Sequence, residues 1–177
     1  MRSQAQDSHV PVVAVVGKSD SGKTTLIESL VRELSARGFR VATAKHHACA
    51  SEVDVPGKDS HRHAKAGAVV SLVISPEAFG LFAYPGGELA LEEAASLAAV
   101  AAGGVDILVA EGFSRSAPVR IEVSRDARSR ELVCAPDELM AVVSDGERET
   151  GDTPVFRFDE VGPLADLIVE KLLGGGD

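Results

Sequence analysis

The sequence predicts a three-layer α/β fold built on a mainly parallel sheet, and three observations carry that prediction. Short β-branched runs alternate with amphipathic helical patterns through most of the 177 residues, the arrangement in which helices cover both faces of a parallel sheet. A glycine-rich turn joins the first such run to the first helix. One pair of consecutive strand-like runs breaks the alternation and reads as an inserted β-hairpin.

The elements follow in order. Residues 1–9 are polar and read as a flexible N-terminus. Val10–Val16 is β-branched and ends at glycine, as a buried strand does. From Thr24 the apolar residues Leu26, Ile27, Leu30, Val31 and Leu34 line one helix face, with Glu28, Arg32, Glu33 and Arg37 opposite. Gly38 is placed to end that helix. Phe39–Ala44 reads as a second strand. The stretch HHACASEVDVPGKDS has no period and reads as a loop, with Asp59 or Ser60 capping a short helix to Ala66. AVVSLVI and AFGLFAY, split by Ser75-Pro76, form the hairpin. PGGELALEEAASLAAVAAGG is a helix bracketed by glycine pairs, and VDILVAEG a strand with an acidic end. PVRIEVSR alternates and reads as a strand with one solvated face. MAVVSD and PVFRF are two more strands, and GPLADLIVEKLL is a closing amphipathic helix. With no internal repeat and no linker, residues 10–173 read as a single domain and 174–177 as a flexible tail.

Composition narrows the functions. The net charge of −9 argues against a broad nucleic-acid or anionic-membrane surface. Two cysteines are too few for a disulfide framework. The N-terminus lacks the apolar core of a signal peptide, and no apolar run reaches the roughly 18 residues of a membrane span. A cytoplasmic protein is expected.

An acidic chain nevertheless carries a loop shaped for an anion. Gly17, Lys18, Ser19, Asp20, Ser21, Gly22, Lys23 and Thr24 read G-x-x-x-x-G-K-T, with Thr25 next, between a strand and a helix. Backbone N–H groups of such a loop cradle phosphate oxygens, and the helix N-terminus adds positive partial charge. Lys23 is expected to reach the β- and γ-phosphates and the Thr24 hydroxyl to ligate Mg²⁺. Oriented dipoles and one lysine hold the anion, so the negative net charge is no obstacle. The expected architecture is therefore of the P-loop NTPase type. Glu111 ends the VDILVAEG strand at the edge where ligands of open α/β sheets bind, and is the expected Mg²⁺ partner. Asp106, at the other end, reads as a strand-start residue. Asp54 and Asp59 are candidates for orienting metal-bound or attacking water, with a helix-cap role as the alternative for Asp59. His46, His47, His61 and His63, with Cys49, have poor spacing for a metal site.

Four blocks resemble a known family: GKSDSGKTTL, KHHACASEVDVPGKDSHRHAKAGA, LVAEGFSRSAPVRIEVSR and AVVSDGE. In this order they look like molybdopterin-guanine dinucleotide biosynthesis protein B (the MobB family), over roughly Val12 to the C-terminus. The resemblance implies a GTP-binding adapter with slow GTPase activity. Such an adapter helps a MobA-like molybdenum cofactor guanylyltransferase attach GMP to molybdopterin. It also implies GTP and Mg²⁺ as cofactors and a homodimer as the assembly, with molybdopterin itself a further candidate partner. By position the phosphate loop is Gly17 to Thr24, the acidic block is Asp54, Gly57, Lys58, Asp59 and Ser60, and the strand-end glutamate is Glu111. One departure is Asp20, where many members carry glycine. It is expected to face solvent and to weaken nucleotide binding modestly. The ordinary Asn-Lys-x-Asp guanine motif is missing. Asp145 is the substitute, a carboxylate able to accept guanine N1–H and N2–H, with an Asp-Gly turn as the alternative.

Two other functions fit parts of the sequence. A small-molecule kinase needs a lid of arginines, but SRDARSR reads as a solvated turn. A metallochaperone GTPase needs a metal-ligand set better spaced than these histidines. Slow hydrolysis is expected because no well-placed glutamine or arginine finger is apparent, with Arg62 and Arg115 left open.

Overall fold

The computed structural model describes residues 10–46, 53–84 and 86–174. The chain divides into two compact units. One comprises Met1–His46 and Leu91–Asp177, and the other His47–Ala90.

The first unit is built on β1 (Val12–Val16). All five of its residues are buried, as expected of a strand covered on both faces. It pairs in parallel with β5 (Ile107–Glu111) on one side and β6 (Arg120–Ser124) on the other. Beyond β5 lies β2 (Val41–Lys45). Beyond β6 lie β7 (Ala141–Ser144) and the two-residue β8 (Val155–Phe156). The order is β2-β5-β1-β6-β7-β8, and every pair is parallel. The chain reverses its winding direction at β1, so the crevice beyond that strand's C-terminal end is where such a sheet takes a ligand.

The period-2 alternation sorts the strands' side chains into two cores. Val13, Val15, Val109, Ile121 and Val143 meet Leu26, Leu30 and Leu34 of α1 (Lys23–Ala36) and Leu164 and Ile168 of α4 (Val161–Ile168). Val12, Ala14, Val16, Leu108 and Ala110 meet Leu91 and Ala95 of α3 (Leu91–Ala102). This is the expected three-layer arrangement. At the far end of α1, Arg37 pairs with Glu33 at 2.9 Å and with Asp166 of α4 at 2.6 Å. The last helix continues through a wider π turn, Val169–Leu173.

One expectation changes. The strand around β6 has no solvated face. Its alternating polar residue, Glu122, is only 1% exposed, because its carboxylate accepts the backbone N–H groups of Val133 and Cys134 at 2.6 and 2.9 Å. A buried acid thus supplies the acceptors that the returning 131–135 segment needs. The helix expected between the two glycine pairs starts at Leu91, three residues after Gly87-Glu88.

The second unit is small. Here α2 (Asp59–Lys65) precedes β3 (Val70–Ile74) and β4 (Phe79–Ala83), an antiparallel pair that is the expected hairpin. The Ser71 hydroxyl of β3 donates to the Ser60 carbonyl of α2 at 3.2 Å, tying helix to hairpin. The expectations for residues 1–9, His47, Cys49 and 175–177 fall outside the described residues.

Replacing Glu122 with alanine removes the acceptors of two part-buried N–H groups, those of Val133 and Cys134. We expect a loss of roughly 2–4 kcal/mol of stability, read as a lower urea midpoint at unchanged slope. A midpoint equal to wild type would show that the segment satisfies itself otherwise.

Candidate functional site

The Gly17–Thr24 loop leaves the C-terminal end of β1 and runs directly into α1. Its backbone conformation demands its glycines. Gly17 has φ 134°, and a Cβ there would stand 2.3 Å from the Val123 carbonyl oxygen. Gly22 has φ 102°, a left-handed conformation costly for any residue with a side chain. Asp20 is left-handed as well, at φ 57°. Aspartate is among the few non-glycine residues that tolerate this, which accounts for its standing where a glycine is otherwise suited. Its carboxylate is exposed, as expected, and pairs with Arg128 at 3.1 Å.

Lys23 folds back over the loop. Its ammonium donates to the Lys18 carbonyl at 2.7 Å and the Gly17 carbonyl at 3.1 Å. The Ser21 hydroxyl is buried with no hydrogen-bond partner. The Thr24 hydroxyl donates to Glu111 Oε2 at 2.9 Å. Lys45, opposite Glu111 in the register of β2 and β5, places its ammonium 3.2 Å from Glu111 Oε1. Sequence reading missed Lys45. Its signal was its position as the last residue of a strand parallel to the one ending in Glu111.

These residues fit a hard cation. Magnesium takes oxygen ligands at about 2.0–2.1 Å in an octahedron, which puts neighbouring ligand oxygens about 2.9 Å apart. Thr24 Oγ1 and Glu111 Oε2 already have that separation. At its other oxygen, Lys45 offsets part of the Glu111 charge.

The stretch SRDARSR contains the solvated turn expected of it, with residues 126–128 and Arg130 exposed, but it is not isolated. Three side chains reach between it and the phosphate loop. Arg125 Nε–H donates to the Ser21 carbonyl at 3.0 Å, Arg128 pairs with Asp20, and Lys18 donates to the Ser129 hydroxyl at 2.6 Å. A run of alternating Arg and Ser carries no sequence sign of which element it will meet. The parallel pairing of β6 beside β1 supplies the answer. Next to it, Arg148 is paired with Asp126 at 2.6 Å and donates to the Ser124 hydroxyl. The Arg148 guanidinium holds the Asp126 carboxyl below the usual aspartate range, against the opposing push of burial.

Asp145, at the end of β7, is exposed and accepts the Asp126 backbone N–H at 2.9 Å. One of its oxygens is thus committed to joining two loops. Asp106 is the strand-start residue expected, accepting the Arg40 N–H at 2.7 Å. Arg40 in turn accepts from the Asp106 N–H at 2.8 Å.

Asp54 and Asp59 belong to the second unit. Asp54 is 5% exposed and accepts from the Ser60 hydroxyl at 2.9 Å, the Tyr84 hydroxyl at 3.0 Å and the Val55 N–H at 2.8 Å. Burial pushes its carboxyl up. The hydrogen bonds from Ser60, Tyr84 and Val55 and the nearby charge of His61 outweigh that and hold it low. These partners make Asp54 a structural centre of its unit. Asp59 is the first residue of α2, exposed, and 3.6 Å from Arg62. The cap expectation changes: Lys58 occupies the N-cap position without a side-chain bond, and the Ser60 hydroxyl goes to Asp54 instead. Asp59 adds a favourable negative charge to the first turn. Among the described residues no group of three or more metal-ligating side chains converges, and His46 lies against the Phe113 ring at 5.0 Å.

Residues 12–145 match the family model described as "MobB: Molybdopterin guanine dinucleotide synthesis protein B". A relative from Escherichia coli (strain K12), a molybdopterin-guanine dinucleotide biosynthesis adapter protein, is 33% identical over 164 residues, 91% of this chain and 93% of that one. A probable protein of the same description from Bacillus subtilis (strain 168) is 30% identical over 170 residues, 93% of this chain and 94% of its own. The crystal structure of Bacillus subtilis MobB is similar with a TM-score of 0.69 at 27% identity, covering 92% of this chain and 98% of that one.

The Asp54 geometry sets a pH dependence for the second unit. A carboxyl held low contributes stability that is fully present above the ordinary aspartate value. That stability is lost as pH falls through the ordinary value and the lower folded one. Tyr84 is the only tyrosine, and the chain has no tryptophan, so tyrosine fluorescence reports on this unit. We expect wild type to lose its folded signal on acidification below about pH 4 and Asp54→Asn to show a flatter acid limb. Superimposable limbs would remove Asp54 from that role.

Proposed function

The chain belongs to the MobB family, and from that premise we propose that it is a GTP-binding adapter in molybdenum cofactor biosynthesis with slow GTPase activity. In this reading it assists a MobA-like guanylyltransferase in attaching GMP to molybdopterin in the cytoplasm. The observation that carries the nucleotide part is the Thr24–Glu111 contact at the end of a phosphate-loop strand. A loop that merely joined strand to helix would need neither residue.

The residues divide the work. The loop from Gly17 to Thr25 surrounds the phosphates with N–H groups. Lys23 exchanges its two loop carbonyls for phosphate oxygens. Thr24 and Glu111 would hold Mg²⁺, which when bound offsets phosphate charge. Asp145 keeps one carboxylate oxygen for a base N–H while the other stays on Asp126. In this reading hydrolysis stays slow because the sequence offers no well-placed glutamine or arginine finger. Asp54 is committed to three donors within its own unit, which leaves Asp59 the freer of the two acids.

The assembly in this reading is a homodimer through the β3–β4 hairpin. Val70, Leu72 and Ile74 stand opposite Ala83, Leu81 and Phe79, so six apolar residues share one face. Leu72 is 56% exposed and Ile74 75%. A two-stranded sheet is marginal alone, and an apolar face of this kind marks an interaction surface. A second copy presents the same face and is the simplest complement.

Equilibrium binding of GTP and ATP, with and without Mg²⁺, tests the nucleotide reading. Wild type is expected to prefer GTP in a magnesium-dependent way. Lys23→Ala should lose about 100-fold, corresponding to the roughly 3 kcal/mol of a charge-assisted contact. A preference for ATP would instead support a small-molecule kinase. Sedimentation tests the assembly: Leu72→Glu should convert dimer to monomer, and an unchanged sedimentation coefficient would place the interface elsewhere.

A further inference from the structure

We propose that Arg125 is a positioning residue of the nucleotide site, acting through the phosphate loop to aim one of its amides; this rests on the nucleotide-binding reading above.

Arg125 follows β6 directly and so starts from the strand beside β1. Its Nε–H donates to the Ser21 carbonyl at 3.0 Å. Its guanidinium lies over the Phe158 ring, 4.3 Å from the ring centre. Gly22 completes the interlock. A Cβ on it would stand 3.2 Å from Arg125 Nε and Nη2 and 3.4 Å from Phe158, so the absence of a side chain lets arginine and ring close on the loop. The stacked cation and the packed ring restrict the arginine to one orientation.

The consequence follows from peptide geometry. In a planar trans peptide the carbonyl and the next N–H point to opposite sides. Drawing the Ser21 carbonyl toward Arg125 therefore turns the Gly22 N–H away from Arg125 and toward the loop's hollow. That N–H stands at the start of α1, among the amides that meet phosphate. The left-handed backbone of Gly22 is the conformation in which this peptide is held.

The other two links from the same segment are weaker. Arg128 and Asp20 are 53% and 71% exposed at their side chains, and Lys18–Ser129 is exposed. Solvated contacts of this kind contribute little. Arg125 is the half-buried one, and its neighbour Asp126 gives its N–H to Asp145. The dipeptide Arg125-Asp126 thus joins the phosphate end of the site to the candidate base reader through two hydrogen bonds.

The test is GTP binding, with Mg²⁺, by wild type, Arg125→Ala, Arg125→Lys and Phe158→Leu, together with each protein's melting temperature without nucleotide. Arg125→Ala should weaken GTP about tenfold, the 1.4 kcal/mol scale of one hydrogen bond from a charged group, with its melting temperature little changed. Arg125→Lys keeps a cationic donor within reach of the Ser21 carbonyl and should recover most of the loss. Phe158→Leu should fall between. GTP binding by Arg125→Ala equal to wild type overturns the inference. So does a melting temperature that falls in parallel with affinity in both Arg125 variants, since that marks a purely structural arginine. Absence of GTP binding by wild type overturns the nucleotide reading itself.

Discussion

The parallel pairing of β1 between β5 and β6 is the constraint from which the site follows. β1 is buried on both faces, so its register is fixed from both sides. Val15 opposite Glu111 sets the strand-end carboxylate beside the start of the phosphate loop. Val16 opposite Glu122 brings the segment after β6 to the loop's other flank. Lys45 reaches Glu111 by the same logic one strand further out. No one of these residues needs the others in sequence. Each is delivered by its own strand to a common edge, and a one-residue slip of any strand would turn its side chains to the opposite face.

The sequence made the order and type of elements legible because hydrophobic period and glycine position are local signals. Lys23–Ala36 shows its buried stripe at Leu26, Ile27, Leu30 and Leu34, and the hairpin shows itself as two apolar runs split by Ser-Pro. The glycine-rich turn between β1 and α1 was legible for the same reason, since its glycines answer to φ angles of their own backbone. The strand-end glutamate was legible because a strand's polarity says which end faces the ligand edge.

Long-range polar pairing was not legible in this way. Glu122 looks like the polar member of an alternating strand, and its burial depends on two amides 11 and 12 residues further along the chain. Arg125 looks like a solvent-exposed arginine until the sheet order places β6 beside β1. Asp54 looked as free as Asp59, and only the fold brings Tyr84, 30 residues away, to its second oxygen. In each case a hydrogen-bonding group finds a partner that the local pattern does not specify.

The shape of the sheet's edges also bears on how the protein stays dispersed. Unpaired strand edges are templates on which another chain adds a strand, the first step of aggregation. On one side the sheet ends in β8, only two residues long, too short to seed such growth. On the other, β2 is preceded by Arg40 and closed by Lys45, cations that an incoming strand would have to bury or displace. A large all-parallel sheet folds slowly because its contacts are distant in sequence, and the blunted margins protect it through that interval.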